Sequence, residues 1–326
     1  MRLRSLGSTD LLVSPMGLGL AALGRPGYIN LGHADDLERQ YEVKSMEAHA
    51  HRILDAAYEG GIVYFDVARS YGRAEAFLAS WLQSRAVSPS SVVVGSKWGY
   101  IYTADWEAEA EHHEVKEHSP NLLRRQWRES RATLGSHLDL YQIHSATLES
   151  GVLQNAAVIR ELARLKEKGV GIGLTVSGPQ QAKAIEQAIE VVLDGVNLFD
   201  SVQATWNLLE RSAGPSLEKA HNAGLGVIVK EALANGRLTR RNKAPEFQGP
   251  LGRLRSEAER LGASIDALAL AAVLAQPWAD VVLSGAARED QLHSNQKALE
   301  VDLDEGAFAG LEALVEAPDQ YWKIRS

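Results

Sequence analysis

Cysteine is absent from all 326 residues, which excludes disulfides, thiolate nucleophiles and cysteine-ligated metal centres. Aromatic residues are few at 6%, and only 10 residues are proline, unlike a proline-rich disordered or collagenous chain. There is no excess of basic charge, because 34 Lys and Arg face 42 Asp and Glu for a net charge of −8. A chain of that sign is a poor general binder of nucleic acid, and any phosphate it holds needs a local basic patch. No apolar run approaches membrane-spanning length, and the opening MRLRSLGSTDLLVSP lacks the core of a signal peptide. A cytoplasmic protein without membrane contact is expected. Repeats, low-complexity tracts and linkers are also missing, which predicts one domain over residues 1–326.

What the chain does contain is eight short apolar segments rich in β-branched residues. They are Leu12–Gly19, Ile62–Asp66, Val92–Lys97, Asp139–His144, Gly171–Thr175, Asp200–Gln203, Gly226–Lys230 and Val281–Ser284. Near-continuous apolar runs of this kind read as strands covered on both faces. Between them lie amphipathic stretches with visible ends. Ser119-Pro120 opens a helix through Leu134 that Gly135 stops, Gly151–Lys168 precedes Gly169, and Ser264–Gln276 precedes Pro277. Alternating strands and helices predict an α/β fold, a (β/α)8 TIM barrel, with an open doubly wound sheet as the alternative. Arg2–Leu6 and the start of the first segment are expected to form an N-terminal hairpin plugging the barrel floor. Three long connections, Leu23–Lys44, Gly99–His118 and Asn235–Gly249, all follow strands. Loops in that position build the active-site face of such a barrel.

Two glycine patterns and one histidine cluster invite readings that their surroundings oppose. Gly17-Leu-Gly19-Leu-Ala-Ala22 matches a dinucleotide fingerprint, but Gly24, Pro26 and Gly27 follow where a helix must open. Gly169-Val-Gly171-Ile-Gly173 leads into a strand instead of out of one. His112, His113 and His118 lie among Glu111, Glu114 and Glu117 without a rigid helical spacing, which favours an acidic loop and no metal.

Ionisable residues at strand ends carry more information. Asp66 closes IVYFD, Tyr71 follows five residues later, Lys97 closes VVVGSK, and His144 closes DLYQIH. A barrel brings those ends onto one face. Carbonyl reduction needs hydride on carbon and a proton on oxygen, and a tyrosine can supply the proton. Its ordinary pKa near ~10 is high for that task, and a nearby ammonium lowers it. Tyr71 is therefore assigned as general acid, Lys97 as its tuner, Asp66 as the partner of Lys97, and His144 as the group orienting the carbonyl. A barrel lyase or hydrolase using Asp66 without redox chemistry is a rival.

These residues and their flanks resemble the aldo-keto reductases over nearly the whole chain. RSLGSTDLLVSPMGLG looks like that family's opening hairpin and first strand, and YFDVARSYGRAEAFLASWL is similar to its F-D-T-A-x-x-Y-G-x-x-E-x-x-L-G signature. VVVGSKWGY and LDLYQIHSA supply its lysine and histidine. The resemblance implies a nicotinamide cofactor lying across the barrel mouth and an oxidoreductase acting on an aldehyde, ketone or sugar. Gln203, in SVQATWNLLER, is implied for the carboxamide, whereas Asn207 there is expected to cap a turn. GAAREDQLHSN implies Gly285, Arg288, Gln291 and Asn295 for the adenosine end, partly through backbone N–H groups at a helix start. Leu233, Gly236 and Arg237 lie after the seventh strand, where the family's pyrophosphate sits.

The chain departs from the family pattern at two places. Thr175 and Val176 stand where Ser-Asn is common, with Ser177 next door. Lys230, in VKEAL, replaces a ring that stacks on nicotinamide, so its ammonium is expected to meet a cofactor phosphate or Glu231. Arg237, Arg240, Arg241 and Lys243 form a basic loop suited to phosphates, and Arg288 suits a 2′-phosphate, so NADPH is expected over NADH. Gln291 weakens that preference. Trp98, Tyr28 and Tyr100 are expected to wall the substrate pocket, with Trp106 and Trp322 as further candidates. A cofactor-binding sensor with little turnover is the second functional reading, and a small-molecule substrate is the expected partner. Oligomeric state is left open.

Overall fold

A computed structural model of the chain describes residues 1–193 and 195–325. Eight parallel strands close into a barrel in sequence order. They are β1 Met16–Gly19, β2 Tyr64–Asp66, β3 Val93–Trp98, β4 Leu138–Ala146, β5 Gly171–Val176, β6 Ser201–Thr205, β7 Gly226–Lys230 and β8 Val281–Ser284. Closure is completed by β8 pairing with β1, as Val282 lies opposite Met16 and Ser284 opposite Leu18. Helices α1 Val43–Glu59, α2 Ala74–Ser84, α3 Pro120–Leu134, α4 Ala156–Lys166, α5 Gln181–Ile189 and α6 Gly214–Asn222 follow β1 to β6 in turn, with a further single helical turn at His33–Asp36 before α1. Two helices, α7 Gln248–Arg260 and α8 Ile265–Leu274, separate β7 from β8, and α9 Glu289–Gln296, α10 Glu305–Leu311 and α11 Pro318–Arg325 complete the chain.

The expected first segment divides in two. Leu12–Val13 pairs antiparallel with Arg4–Ser5 as a hairpin, and only Met16–Gly19 joins the barrel. Pro15 lies between the two parts and has no N–H to carry a ladder onward. The hairpin seals the barrel floor, where Leu6 and Val13 join Tyr64, Val93, Leu140, Ile228, Val281 and Leu283 in one buried cluster. Gly226 makes the seal possible, since a Cβ there would lie 2.4 Å from Leu6 Cγ. Gly95 likewise leaves room inside the barrel, where a Cβ would meet the Tyr64 hydroxyl at 2.6 Å.

Helix ends follow the expected chemistry, with one shift. Ser119 caps α3 by accepting from the Leu122 N–H at 3.1 Å, and Ser264 caps α8 through the Ala267 N–H at 3.3 Å. The stretch from Gly151 is not helical throughout, because α4 starts at Ala156 after a single turn at Val152–Gln154. The cause is Asn155, whose side chain accepts from Ala157 and Val158 N–H at 3.1 and 3.3 Å and fixes the start there. The three long connections gather over the barrel mouth. The second carries an antiparallel pair, Tyr100–Tyr102 with Glu114–Lys116.

Candidate active site

A buried ion pair forms the floor of the mouth. Asp66 ends β2 and Lys97 lies one residue before the end of β3, so parallel pairing of these strands points both into the barrel axis. The Lys97 ammonium donates to Asp66 Oδ1, and to the Val67 carbonyl at 2.9 Å. The other carboxylate oxygen accepts from Gln203 Nε2 at 2.8 Å, the Tyr64 hydroxyl at 3.4 Å and Gln142 Nε2 at 3.5 Å. Four side chains from four strands thus meet on one carboxylate. A buried pair survives only when its remaining lone pairs are satisfied in this way.

Above that floor sit Tyr71 and His144. Beyond β2 the chain stays tied to β3, with the Val67 N–H on Gly95 O at 2.9 Å and the Arg69 N–H on Lys97 O at 3.1 Å. The turn after it carries Tyr71 over the ion pair. Its hydroxyl lies 3.5 Å from His144 Nε2, the two rings meet edge to face at 5.4 Å, and Lys97 Nζ is 4.9 Å from the Tyr71 ring centre. His144 Nδ1 is paired with the Ser70 hydroxyl at 3.3 Å.

A bulge in β4 sets the histidine. Ile143 opposes Leu174 and Ala146 opposes Val176, so His144 and Ser145 together face the single residue Thr175. Ser145 takes φ 52° there, and its N–H donates to Thr175 Oγ1 at 2.7 Å. The His144 carbonyl accepts from His118 Nε2 at 2.9 Å.

Burial decides the charge states. It pushes the Tyr71 hydroxyl well above its usual pKa, with Asp66 and Glu114 adding to the rise and Arg25 opposing it. Burial first, then Lys97, Lys230 and Arg25, hold His144 well below the usual imidazole value. At neutral pH the pair is therefore a protonated phenol beside a neutral ring. Lys97, the expected tuner of Tyr71, lies 4.9 Å from its ring centre with its own charge paired to Asp66. The guanidinium that opposes burial is that of Arg25, 5.6 Å from the Tyr71 ring centre and 5.2 Å from that of Tyr28.

A cleft of about 610 Å³ runs from this cluster across the mouth to the corner between β8 and α9. Asp66, Tyr71 and His144 line it, as do Thr175, Gln203, Lys230, Leu233, Gly236, Gly285, Gln291, Asn295, Tyr28 and Tyr100. Three expected contacts lie elsewhere. Arg237 is outside the lining, bound to Glu316 through two hydrogen bonds, one of them 3.0 Å. Arg288 is turned to Asp290 at 2.9 Å. Trp98 is buried in β3 and packs on His118 with ring centres 5.6 Å apart.

Of the two further aromatic candidates, Trp106 donates to Tyr41 O at 2.6 Å and Trp322 lies beneath Lys230, 5.8 Å from its ammonium. Neither lines the cleft. Asn207 caps a turn, its Oδ1 accepting from Leu209 and Glu210 N–H at 2.9 and 3.0 Å. Val176 is buried, and Ser177 takes the place on the cleft wall. Among the described residues no three His, Asp or Glu side chains are grouped to hold a metal ion.

Several participants were invisible in the sequence because their partners are far along the chain. Arg25, from the first long loop, reaches Glu114 at 3.2 Å on the second. Arg241 forms a two-pronged pair with Asp36, whose Oδ1 also accepts from Gln291 Nε2 at 2.8 Å. Glu231 meets Lys230 at 3.2 Å, one of the two partners expected for it, but the second cation on that carboxylate, Arg325 at 2.6 Å, was not foreseen. Of the basic loop, Arg237 and Arg241 are thereby engaged. Arg240 lines the cleft and is exposed, with no acidic partner among the described residues.

The cleft is lined by side chains of both signs, among them Arg25, Lys230 and Arg240 as well as Asp66, Glu114 and Glu231. Gly285 leaves part of it bare, since a Cβ there would meet only Asn30 Nδ2, at 3.8 Å.

The fold is thus a closed (β/α)8 barrel with a phenol, an imidazole and a buried Lys–Asp pair at its mouth. Residues 15–316 match the Aldo/keto reductase family, and the chain belongs to it. It is 26% identical to the NADH-specific methylglyoxal reductase of Escherichia coli, with 96% of this chain and 98% of that one covered. To the D-threo-aldose 1-dehydrogenase of a Pseudomonas species it is 25% identical, with coverage of 94% and 97%. An aldo-keto reductase structure from Bacillus halodurans shares the fold with a TM-score of 0.75 at 24% identity, covering 97% of both chains. No described helix is long and apolar enough to cross a membrane.

Proposed function

We propose that this chain is a nicotinamide-dependent reductase in which Tyr71 delivers the proton to a carbonyl oxygen. The observation that carries the reading is the meeting of Tyr71 Oη and His144 Nε2 at 3.5 Å above the Lys97–Asp66 pair, at the head of the cleft. A carbonyl oxygen seated between the two ring groups accepts a hydrogen bond from Tyr71. His144, neutral and fixed through Ser70 and the β4 bulge, orients it. A nicotinamide dinucleotide held in the cleft would supply the hydride. The proton leaves the Tyr71 hydroxyl for the oxygen, and the Lys97 ammonium limits the cost of the phenolate left behind.

Gln203 and Thr175 act below and beside that point. Gln203 Nε2 is engaged with Asp66, so its free carbonyl oxygen is the group that faces a carboxamide. Thr175 accepts from Ser145 and keeps its own hydroxyl proton to donate. Arg240, Gly236, Gly285 and Asn295 take the remainder of the dinucleotide. Arg240 supports NADPH, whereas the Asp36 carboxylate beside Gln291 opposes a 2′-phosphate, and the ratio of NADPH to NADH affinity reads that balance. The substrate is a small aldehyde, ketone or sugar contacting Tyr28 and Tyr100.

The test is a fluorescence titration with NADPH and NADH, followed by turnover on a panel of aldehydes, ketones and sugars. Binding with carbonyl-dependent oxidation of the cofactor is expected. Absence of binding by either nucleotide would overturn the reading, and tight binding without turnover would favour a sensor.

A further inference from the structure

Lys230 has no place in the proton transfer, yet it is a partly buried ammonium on the wall of the same cleft. Its strand register sets it there, because Lys230 ends β7 opposite Thr205 at the end of β6. Nζ donates to Thr205 Oγ1 at 2.8 Å and to Glu231 Oε1 at 3.2 Å. The Glu231 carboxylate is not its own. Arg325, from α11, takes both oxygens at 2.6 and 2.8 Å, and Asn235 Nδ2 adds a contact at 3.2 Å.

Two cations therefore share one carboxylate. The other charges around Tyr71 cancel in pairs, Lys97 with Asp66 and Arg25 with Glu114. One unit of positive charge remains at the reacting end of the cleft. His144 is held below the usual imidazole value chiefly by burial, and Lys230 adds to that after Lys97.

Hydride transfer places the nicotinamide ring within reach of a carbonyl carbon whose oxygen lies at Tyr71 and His144. The ring must then sit in this part of the cleft. It is neutral when reduced and carries one positive charge when oxidised, while the rest of the dinucleotide is unchanged. We infer that Lys230 makes the site discriminate against the oxidised cofactor, loading the enzyme with the reduced form and hastening release of the oxidised product. This inference rests on the function proposed above.

The balance of the reaction is simple: hydride passes from the reduced ring to the carbonyl carbon, Tyr71 gives its proton to the oxygen and regains one from solvent, and an alcohol, the oxidised cofactor and a protonated Tyr71 result. The oxidised ring is then the species next to the unmatched charge. In a buried site a single unmatched charge at several ångströms is worth about tenfold in the ratio of the two affinities, after the partial compensation by Glu231. By linkage, a tenfold preference for the reduced form raises the potential of the bound couple by about 30 mV.

The experiment is a pair of titrations, reduced and oxidised cofactor, on the wild type and on Lys230→Met, with no substrate present. The wild type is expected to bind the reduced form more tightly. Lys230→Met is expected to shrink the ratio about tenfold, mainly by improving affinity for the oxidised form. Lys230→Gln keeps a donor for Thr205 and shrinks it in the same sense if the methionine variant does not fold. Lys230→Arg retains the ratio, and Glu231→Gln, which removes the compensating charge, enlarges it. Arg240→Ala serves as a control for charge on the phosphates, weakening both forms equally. A ratio unmoved in the folded Lys230 variants overturns the inference while leaving the reductase reading intact. Failure of the wild type to bind either form overturns both.

Discussion

The two ends of the barrel are closed by the same eight strands in opposite ways. At the floor, Leu6 and Val13 of the hairpin fill the interior against Tyr64, Leu140 and Ile228, an apolar plug that shape alone secures. Towards the mouth the strands carry Asp66, Lys97, His144, Thr175, Gln203 and Lys230, and Asp66, Lys97, Lys230 and Arg25 are each tied to a residue on another element. The floor holds the molecule together with side chains that need no particular partner. The mouth invests in partners, and its cost appears as buried charges that burial alone would neutralise.

The sharpest separation is expected from Tyr71→Phe. It should lower kcat by about 10²- to 10⁴-fold, the range for loss of a general acid, while the dissociation constant for the cofactor stays unchanged. Stopped-flow single turnovers with a reactive aldehyde check it. Retained turnover would remove Tyr71 as the donor.

Asp66→Ala joins the two ends of the comparison, because it leaves Lys97 buried without its counter-charge. A loss of about 3–5 kcal/mol in unfolding free energy is expected, together with loss of turnover, measured by urea melts and steady-state assays. Leu6→Ala at the floor should cost about 2–5 kcal/mol in the same melts and leave kcat and KM as in the wild type. A changed kcat there would show that the floor reaches the chemistry and would break the division.

The smallest effect is on pH. Burial lowers His118 from 6.5 to about 4, with its contact to the His144 carbonyl acting the other way. The folded state thus binds fewer protons than the unfolded chain between those values. Stability from this residue is complete above pH 6.5 and is lost as pH falls toward about 4. The Tm should drop over that window in the wild type, and His118→Gln should flatten the decline.

The architecture was legible because its signals are local. Strand segments rich in Val and Ile, caps at Ser119 and Ser264, and stops at Gly135 and Pro277 each depend on a few neighbouring residues. The one misplaced helix start, Gly151 instead of Ala156, came from the side-chain cap at Asn155, past a single turn at Val152–Gln154. The strand ends were readable to within one or two residues: those expected at Lys97, His144, Thr175 and Gln203 run on to Trp98, Ala146, Val176 and Thr205, and the setting of His144 depends on a bulge that period alone does not show.

Assignments of work to those residues were less secure. Gln203 looked like a carboxamide ligand and proves to be half committed to Asp66. Arg237 and Arg288 looked free for phosphate and are held by Glu316 and Asp290. A charge in a sequence shows its sign and not its partner.

By itself, the sequence determined the barrel, its mouth and the four side chains gathered there, because apolar periodicity and chain reversal act over short distances. Only the tertiary structure decided which charges cancel. Arg25 finds Glu114 at a separation of 89 residues, and Arg325 finds Glu231 at a separation of 94. Electrostatic energy depends on distance in space and on the water displaced, and neither is written along the chain. That is why the charge left over at Lys230 appears only once the barrel has closed.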